Sequence, residues 1–313
     1  MIPPKQGETS LTGRDCLTLA EFGPDEVGLI LDEAARIKHL QRSGEEFQPL
    51  TGKTLAMIFQ KPSNRTRISF EVGMYQLGGH ALPLGPQEIQ MGKRETVSDT
   101  GRTLSRYTDA IVARVFGNEE VEELAAAASV PVINGLSDLH HPCQALADLF
   151  TVREELGTLE GVRISYVGYG NNVAHSLAIG CSLLGAELTI AHPKGHAPDR
   201  RVVELAASLG AAPTLTGDPQ GGVAGAQVVY TDVWASMGRE AEARERKERF
   251  VSYQVNEELM SYARRDAIFL HCLPAHRGEE VTEAVIDGSQ SRVFDQAENR
   301  LHAQKALLYL LLS

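Results

Sequence analysis

Apolar positions along this chain follow two patterns, short unbroken runs that suit buried strands and longer stretches in which they recur every three or four residues. Thr54-Leu55-Ala56-Met57-Ile58-Phe59 is of the first kind, as a parallel strand covered on both faces requires. Behind it Ile68, Val72 and Tyr75 recur at helical spacing, as do Phe70, Met74 and Leu77, until Gly78-Gly79 stops the helix. Ahead of it Gly23-Pro24-Asp25-Glu26 starts a helix whose stripe of Val27, Ile30, Leu31, Ala34 and Ile37 ends near Gly44. Short strands are predicted at 81–82, 110–113 and 130–133, with helical segments at 97–107 and 119–128. A helix opening at Pro142 and running to about Leu156 then leads into the same alternation again. This second series has strands at 164–167, 188–191, 228–231 and 268–270, and helices at 173–184, 200–209 and 256–264. The pattern predicts an α/β protein of two doubly wound parallel-sheet domains of similar size, residues 1–150 and 151–313, joined by helices. A last helix, about 297–312, carries Ala297, Leu301, Gln304, Leu308 and Leu311 along one side and must bury that face.

Composition narrows the class of partner. With 313 residues, 42% of them hydrophobic, the chain can fill two cores. Its 30 basic and 41 acidic residues give a net charge of -11, which argues against nucleic acid or an anionic membrane as partner. Anion binding is then local, and Lys53, Lys61, Arg65, Arg67, Lys93 and Arg94 lie close in sequence around one strand end. Cys16, Cys143, Cys181 and Cys272 are widely spaced, without a Cys-x-x-Cys pair, so neither a metal centre nor a disulfide framework is suggested and the thiols read as reduced. The N-terminus lacks a signal-peptide core and the Leu-rich tail at 306–312 is too short to span a bilayer, so a cytoplasmic protein is expected.

Candidate chemistry collects where predicted strands end. Ser63-Asn64-Arg65-Thr66-Arg67 follows the first strand and opens a helix, where free backbone N–H groups and the helix dipole favour a phosphate. Arginine forks grip phosphate or carboxylate oxygens in pairs. Taken alone, a Ser-x-Arg run is more often a capped helix with exposed arginines. His140-His141-Pro142-Cys143-Gln144 sets an imidazole before a helix-starting proline, although isolated histidines are more often surface or satisfied core residues. Gln90-Met91-Gly92-Lys93-Arg94-Glu95 reads on its own as a solvated turn, and Arg114 merely ends a predicted strand. Gly168-Tyr169-Gly170-Asn171-Asn172 follows a strand and opens a helix, yet the third glycine of a dinucleotide fingerprint is missing, so no nucleotide cofactor is expected. Asp232 begins the loop Asp232-Val233-Trp234-Ala235-Ser236-Met237-Gly238, where a simple capping role is the plain alternative. The charged stretch from Arg239 to Arg249 reads as a solvated helix or flap. His271-Cys272-Leu273-Pro274 closes the last strand, and a cysteine there is by default an inert core thiol.

In this order the motifs resemble the signatures of the aspartate/ornithine carbamoyltransferase superfamily, most closely its ornithine-type members, from about Leu17 to Leu312. The resemblance implies an active site in the cleft between the two domains, with the final helix packed back on the first. It implies that Ser63, Asn64, Arg65, Thr66, Arg114, His141, Pro142, Cys143, Gln144 and Arg300 bind carbamoyl phosphate, joined by Gln90, which in the family reaches in from a neighbouring subunit. It gives Asn172, Asp232, Ser236, Met237, Cys272 and Leu273 to ornithine, the aspartate and the Ser236-Met237 pair holding the α-ammonium and Asn172 the carboxylate. Aspartate-type members carry a different sequence at positions 271–274. Asn64 stands where the family usually has threonine, so a hydroxyl donor is lost from the phosphate grip.

The implied reaction transfers the carbamoyl group of carbamoyl phosphate to the δ-amine of ornithine, giving citrulline and phosphate. Arg65, Thr66 and His141 are expected to stabilise charge on the carbamoyl oxygen, with Asp232 orienting Cys272 near the amine. Two other readings remain at this stage: a carbamoyltransferase for a related amine such as putrescine or an acylated ornithine, and a regulatory protein that binds carbamoyl phosphate without turnover. The family also implies a homotrimer.

Overall fold

The computed structural model describes residues 10–234 and 248–313. The chain forms two compact units, one made of the described residues up to Ser137 together with Leu301–Ser313, the other of Asp138–Arg300.

In the first unit, helix α1 (Pro24–Ser43) begins on a proline after Gly23, whose N–H donates to the Glu26 carboxylate, and stops where Gly44 turns left-handed at φ 75°. Strand β1 (Thr54–Phe59) is buried from its second residue onward, as its continuous apolar run demands. Helix α2 (Asn64–Gln76), β2 (His80–Leu84), α3 (Pro86–Ile89), α4 (Val97–Leu104), β3 (Ala110–Arg114), α5 (Asn118–Ala127) and β4 (Val132–Leu136) follow. The four strands are parallel in the order β2-β1-β3-β4. Ala56, Ile58, Ile111, Ala113 and Val132 share one apolar cluster with Val121 and Leu124 of α5.

In the second unit, α6 (Pro142–Leu156) ends at Gly157, again left-handed with φ 78°. Strand β5 (Arg163–Val167), α7 (Asn172–Leu184), β6 (Glu187–Ala191), α8 (Arg200–Leu209), β7 (Thr214–Thr216), α9 (Pro219–Val223), β8 (Val228–Thr231) and β9 (Ile268–His271) build a parallel sheet in the order β7-β6-β5-β8-β9. The C-terminal helix (Val293–Leu312) runs on from this unit into the first. Two parallel-sheet α/β units agree with the fold expected from the alternating pattern.

Three local expectations change. The helix expected over 256–264 is only Glu257–Met260. After Met260 the backbone turns away, with Tyr262 O accepting from Gly225 N and Arg264 N donating to Ala226 O, both at 2.9 Å, so bonds to another loop replace the next helical turn. The helix expected to Tyr107 ends at Leu104, and β4 begins at Val132 rather than 130. Strand β7, with two of its three residues exposed, has no apolar run to announce it. Among the described residues, no helix is long and apolar enough to cross a membrane.

Candidate active site

Each sheet has one place where the strand order reverses direction, and in open α/β sheets ligands bind outside the carboxyl ends of the strands at that point. In the first unit it lies between β1 and β3, where Phe59 is in register with Arg114. The Ser63 corner leaves β1 there. Ser63 is the N-cap of α2, its Oγ accepting from Thr66 N at 3.3 Å, so the run forms a helix N-terminus as expected. Thr66 is buried, Arg65 and Ser63 are half-buried, and Asn64 is exposed. Arg67 points along the helix surface to Glu71, 3.4 Å away and exposed. Gln60 ties the corner to its neighbours: its backbone N donates to Arg114 O at 2.9 Å, and its Oε1 accepts from Phe116 N at 2.8 Å. Lys61 lies 4.5 Å from the centroid of the Phe116 ring. Gln90 caps α3 in a left-handed conformation, φ 44°, with Nε2 donating to Gln87 O at 3.3 Å.

In the second unit the reversal lies between β5 and β8, and Val167, Thr231 and His271 are lateral neighbours at the ends of β5, β8 and β9. The residues that follow them include Asn171, Asp232 and Cys272. Asp232 Oδ1 accepts from Cys272 Sγ at 2.9 Å and from Val233 N at 2.8 Å, and Oδ2 accepts from Asn171 Nδ2 at 2.7 Å. Asn171 caps α7, its Oδ1 taking Val173 N and Ala174 N at 3.0 and 3.1 Å and the Tyr166 hydroxyl at 3.1 Å. Burial holds the Tyr166 hydroxyl well above the usual phenol range, so it remains a donor. The acceptor side of Asn171 is therefore committed, and its amide N–H must face the carboxylate. Asn172, half-buried, is the first residue of α7, and Leu273 adopts φ 56°. Ser236, Met237 and most of the charged 239–249 stretch lie outside the described residues; Trp234 is buried, its ring 5.9 Å from that of Phe250.

His141 is the N-cap of α6, buried, and its backbone N donates to Ser176 Oγ at 2.7 Å. The preceding turn is fixed by His175, whose Nε2 accepts from Asp199 N at 2.8 Å while Nδ1, left to carry the proton, faces Leu139 O at 2.9 Å. Burial pushes His140 down to about 4, so it is uncharged at neutral pH. The Cys143 thiol, fully buried behind Pro142, is pushed up to about 11. Gln144 is also buried; its Nε2 donates to Asp148 Oδ1 at 2.8 Å and its Oε1 accepts from Arg300 Nη1 at 2.7 Å.

Asn171 and Asp148 were not singled out by sequence. An Asn at a strand-to-helix corner is a capping signal, and the acid one turn after Gln144 is a helix-spacing signal, but neither reveals its partner. Asp232, His271 and Cys272 bring potential metal-ligand atoms within 4.8 Å of one another. The imidazole is already used: His271 Nδ1 accepts from Leu273 N at 2.8 Å, and Nε2 donates to Glu280 Oε1 at 3.1 Å. The arrangement suits an amine recognised by a carboxylate better than a metal held by three free ligands.

Two family models match the chain end to end: aspartate/ornithine carbamoyltransferase, carbamoyl-P binding domain, over residues 14–154, and the Asp/Orn binding domain over 160–311. An ornithine carbamoyltransferase of Anoxybacillus flavithermus is 56% identical over 306 residues, covering 96% of this chain and 98% of that protein. An anabolic ornithine carbamoyltransferase of Pyrococcus furiosus is 56% identical over 307 residues, covering 97% and 98%. Among solved structures, ornithine carbamoyltransferase from Pyrococcus furiosus superposes with a TM-score of 0.95 at 55% identity, covering 97% of this chain and 99% of that one. The enzyme from Thermus thermophilus gives 0.87 at 45% identity, covering 96% and 99%.

Proposed function

Because the chain belongs to the aspartate/ornithine carbamoyltransferase family, we infer that it is an ornithine carbamoyltransferase, moving the carbamoyl group of carbamoyl phosphate to the δ-amine of L-ornithine. The observation that carries the ornithine assignment is the second-unit corner, where the ornithine-type His271-Cys272-Leu273-Pro274 sequence sets Cys272 Sγ 2.9 Å from Asp232. A substrate that is both anion and cation needs a carboxylate for its ammonium and amide donors for its carboxylate. Asp232 and Asn172 supply these, with Leu273, Ser236 and Met237 completing the ornithine set.

Carbamoyl phosphate is assigned to Ser63, Asn64, Arg65, Thr66 and Arg114, to His141, Pro142, Cys143 and Gln144, to Arg300, and to Gln90 of a neighbouring copy. The functional halves are residues 1–150 and 151–313, in line with the matched spans 14–154 and 160–311. The ornithine amine must be neutral to attack, and with a lysine-like pKa of about 10.4 only roughly one molecule in a thousand is so at neutral pH. Desolvation in the site and the pull of Cys272, oriented by Asp232, lower that cost. Attack builds negative charge on the carbamoyl oxygen, which Arg65, Thr66 and His141 stabilise as donors. The leaving phosphate takes the proton, giving citrulline and inorganic phosphate with no covalent enzyme intermediate. Exclusion of water protects the labile acyl phosphate meanwhile.

The assembly is a homotrimer in this reading. Ile68 and Tyr75 of α2 are 59% and 79% exposed and Val72 lies between them, an apolar stripe that a second copy would cover. Four cysteines outside any disulfide fit a cytoplasmic setting. Citrulline formation by the purified protein with carbamoyl phosphate and ornithine, putrescine or N-acetylornithine tests the assignment. Ornithine is expected to be preferred; turnover with putrescine at equal or higher kcat/KM would remove Asn172 and Asp232 from their roles.

A further inference from the structure

One buried acid plays no part in the reaction as assigned. Asp148 lies one helical turn after Gln144 on α6, has no exposed surface, and receives three side-chain donors. Its Oδ1 accepts from Gln144 Nε2 at 2.8 Å and from Gln296 Nε2 at 2.6 Å, and its Oδ2 accepts from the Tyr230 hydroxyl at 3.1 Å. Burial raises the Asp148 carboxyl to about 6, while these donors and the Arg300 charge work to lower it, so at neutral pH it is ionised and can only accept. Tyr230 is likewise held well above the usual phenol range by burial and stays a donor.

An ionised carboxylate leaves a neighbouring primary amide one choice of direction. Each glutamine must turn its NH2 towards Asp148 and its oxygen the other way. The two oxygens then face different parts of the site. Gln144 Oε1 accepts from Arg300 Nη1 at 2.7 Å, and Gln296 Oε1 accepts from His271 N at 2.9 Å, the residue before Cys272.

On the reading that the chain is an ornithine carbamoyltransferase, we propose that Asp148 is a positioning residue that fixes the amide sense of Gln144 and Gln296 together, presenting the Gln144 oxygen to the carbamoyl NH2 while anchoring the His271-Cys272 backbone. The carbamoyl amine carries two N–H donors and needs acceptors. A carbonyl oxygen has two lone pairs, of which Arg300 takes one and leaves one for substrate. A reversed Gln144 would offer N–H to N–H and repel the group it has to hold. One carboxylate thus sets hydrogen-bond polarity at both the carbamoyl-binding motif and the ornithine signature, whose residues lie far apart in sequence.

The test separates polarity from charge and from mere packing. Asp148→Asn keeps an acceptor oxygen for both glutamines and turns its NH2 to Tyr230, so KM for carbamoyl phosphate is expected to stay within about threefold of wild type, since no Gln144 bond is lost. Asp148→Leu keeps the bulk and removes the acceptor, and is expected to raise that KM by about tenfold or more, the worth of one charge-assisted hydrogen bond. In a Gln144→Ala background the Leu substitution is expected to add almost nothing to this KM, because the residue it acts through is gone. A Leu variant with wild-type KM, an Asn variant as impaired as Leu, or additive effects with Gln144→Ala would each overturn the proposal. Where the Leu variant does not fold, Asn decides alone: a tenfold rise in KM from a change that preserves shape and acceptor assigns Asp148 to charge rather than orientation. Failure of the wild-type enzyme to form citrulline would refute the proposed activity instead, a result distinct from all of these.

Discussion

The two switch-point corners are built on opposite plans. At the first, Ser63 spends its hydroxyl on capping α2, Asn64 is exposed, and Arg67 is paired at the surface with Glu71, so the proposed grip on an anion falls to backbone N–H groups and Arg65. At the second, both oxygens of Asp232 are taken by Asn171, Val233 and Cys272, and Asn171 is itself fixed by Tyr166 and the start of α7. A phosphate brings charge enough to organise exposed donors around itself. An amino acid gives up hydration at three small charged or polar groups, so its pocket gains from dipoles fixed in advance. Damage at the first corner should therefore appear in the rate of the charge-building step, and damage at the second in recognition.

The largest effect is expected from Arg65→Gln, which removes a proposed donor to the developing oxyanion and should lower kcat by on the order of 10²- to 10³-fold in the citrulline assay. Near-normal turnover would take Arg65 out of the mechanism. A second measurement concerns stability on the pre-organised side. Burial keeps Asp148 protonated up to about pH 6 in the folded chain, whereas an unfolded carboxyl has its ordinary value of 3.8. Between those two values the folded state holds a proton that the unfolded state has released, so this group's contribution falls as pH rises through the window and is level above it. Asp148→Asn has no such proton, and its stability relative to wild type should rise by up to roughly 3 kcal/mol, about two pH units at 1.36 kcal/mol each, between pH 4 and 6. A difference between the two denaturation midpoints that stays constant over that range would contradict the buried ionisation. Third, Asp232→Asn leaves an amide where the proposed ammonium site calls for a carboxylate. KM for ornithine should rise by about 10- to 100-fold while KM for carbamoyl phosphate changes by less than threefold, the loss expected for one hydrogen bond to a charged group. Equal rises in both would merge the two corners into one.

How much of this was legible depended on how local each cause was. The β1 run, the Gly23-Pro24 start of α1 and the His141-Pro142 start of α6 are dictated by neighbouring residues, and the structure keeps them. Helical periodicity correctly placed two stripes on α2 but could not say which faces inward: Phe70, Met74 and Leu77 are buried, while Ile68 and Tyr75 stand in the open. The helix lost after Met260 yielded to backbone bonds with Gly225 and Ala226, which no local pattern encodes. At the site, the strand-end motifs carried the residue types. The polarity of the amides, in contrast, is set by pairings such as Gln296 with Asp148 and Asn171 with Asp232, which join elements distant in sequence.

The smallest perturbation bears on Cys272, the residue proposed to lie beside the reacting amine. Of the four cysteines, none in a disulfide, Cys16, Cys143 and Cys181 are buried and Cys272 is only partly so. Burial further disfavours a thiolate at Cys143, pushed up to about 11, and at Cys181, which is also raised, so neither supplies a nucleophile at neutral pH. An aromatic disulfide reagent should therefore modify one thiol quickly in the folded protein, and Cys272→Ser should abolish that phase. Carbamoyl phosphate with norvaline, which keeps the α-ammonium and carboxylate but lacks the attacking amine, should slow it by about tenfold or more, as expected when a bound ligand removes access. Protection by norvaline alone to the same degree would mean that the pre-organised corner fills without help from the anion site. A fast phase that survives Cys272→Ser would place the exposed thiol elsewhere, and the short contact between Cys272 and Asp232 would then bear on packing rather than on the amine.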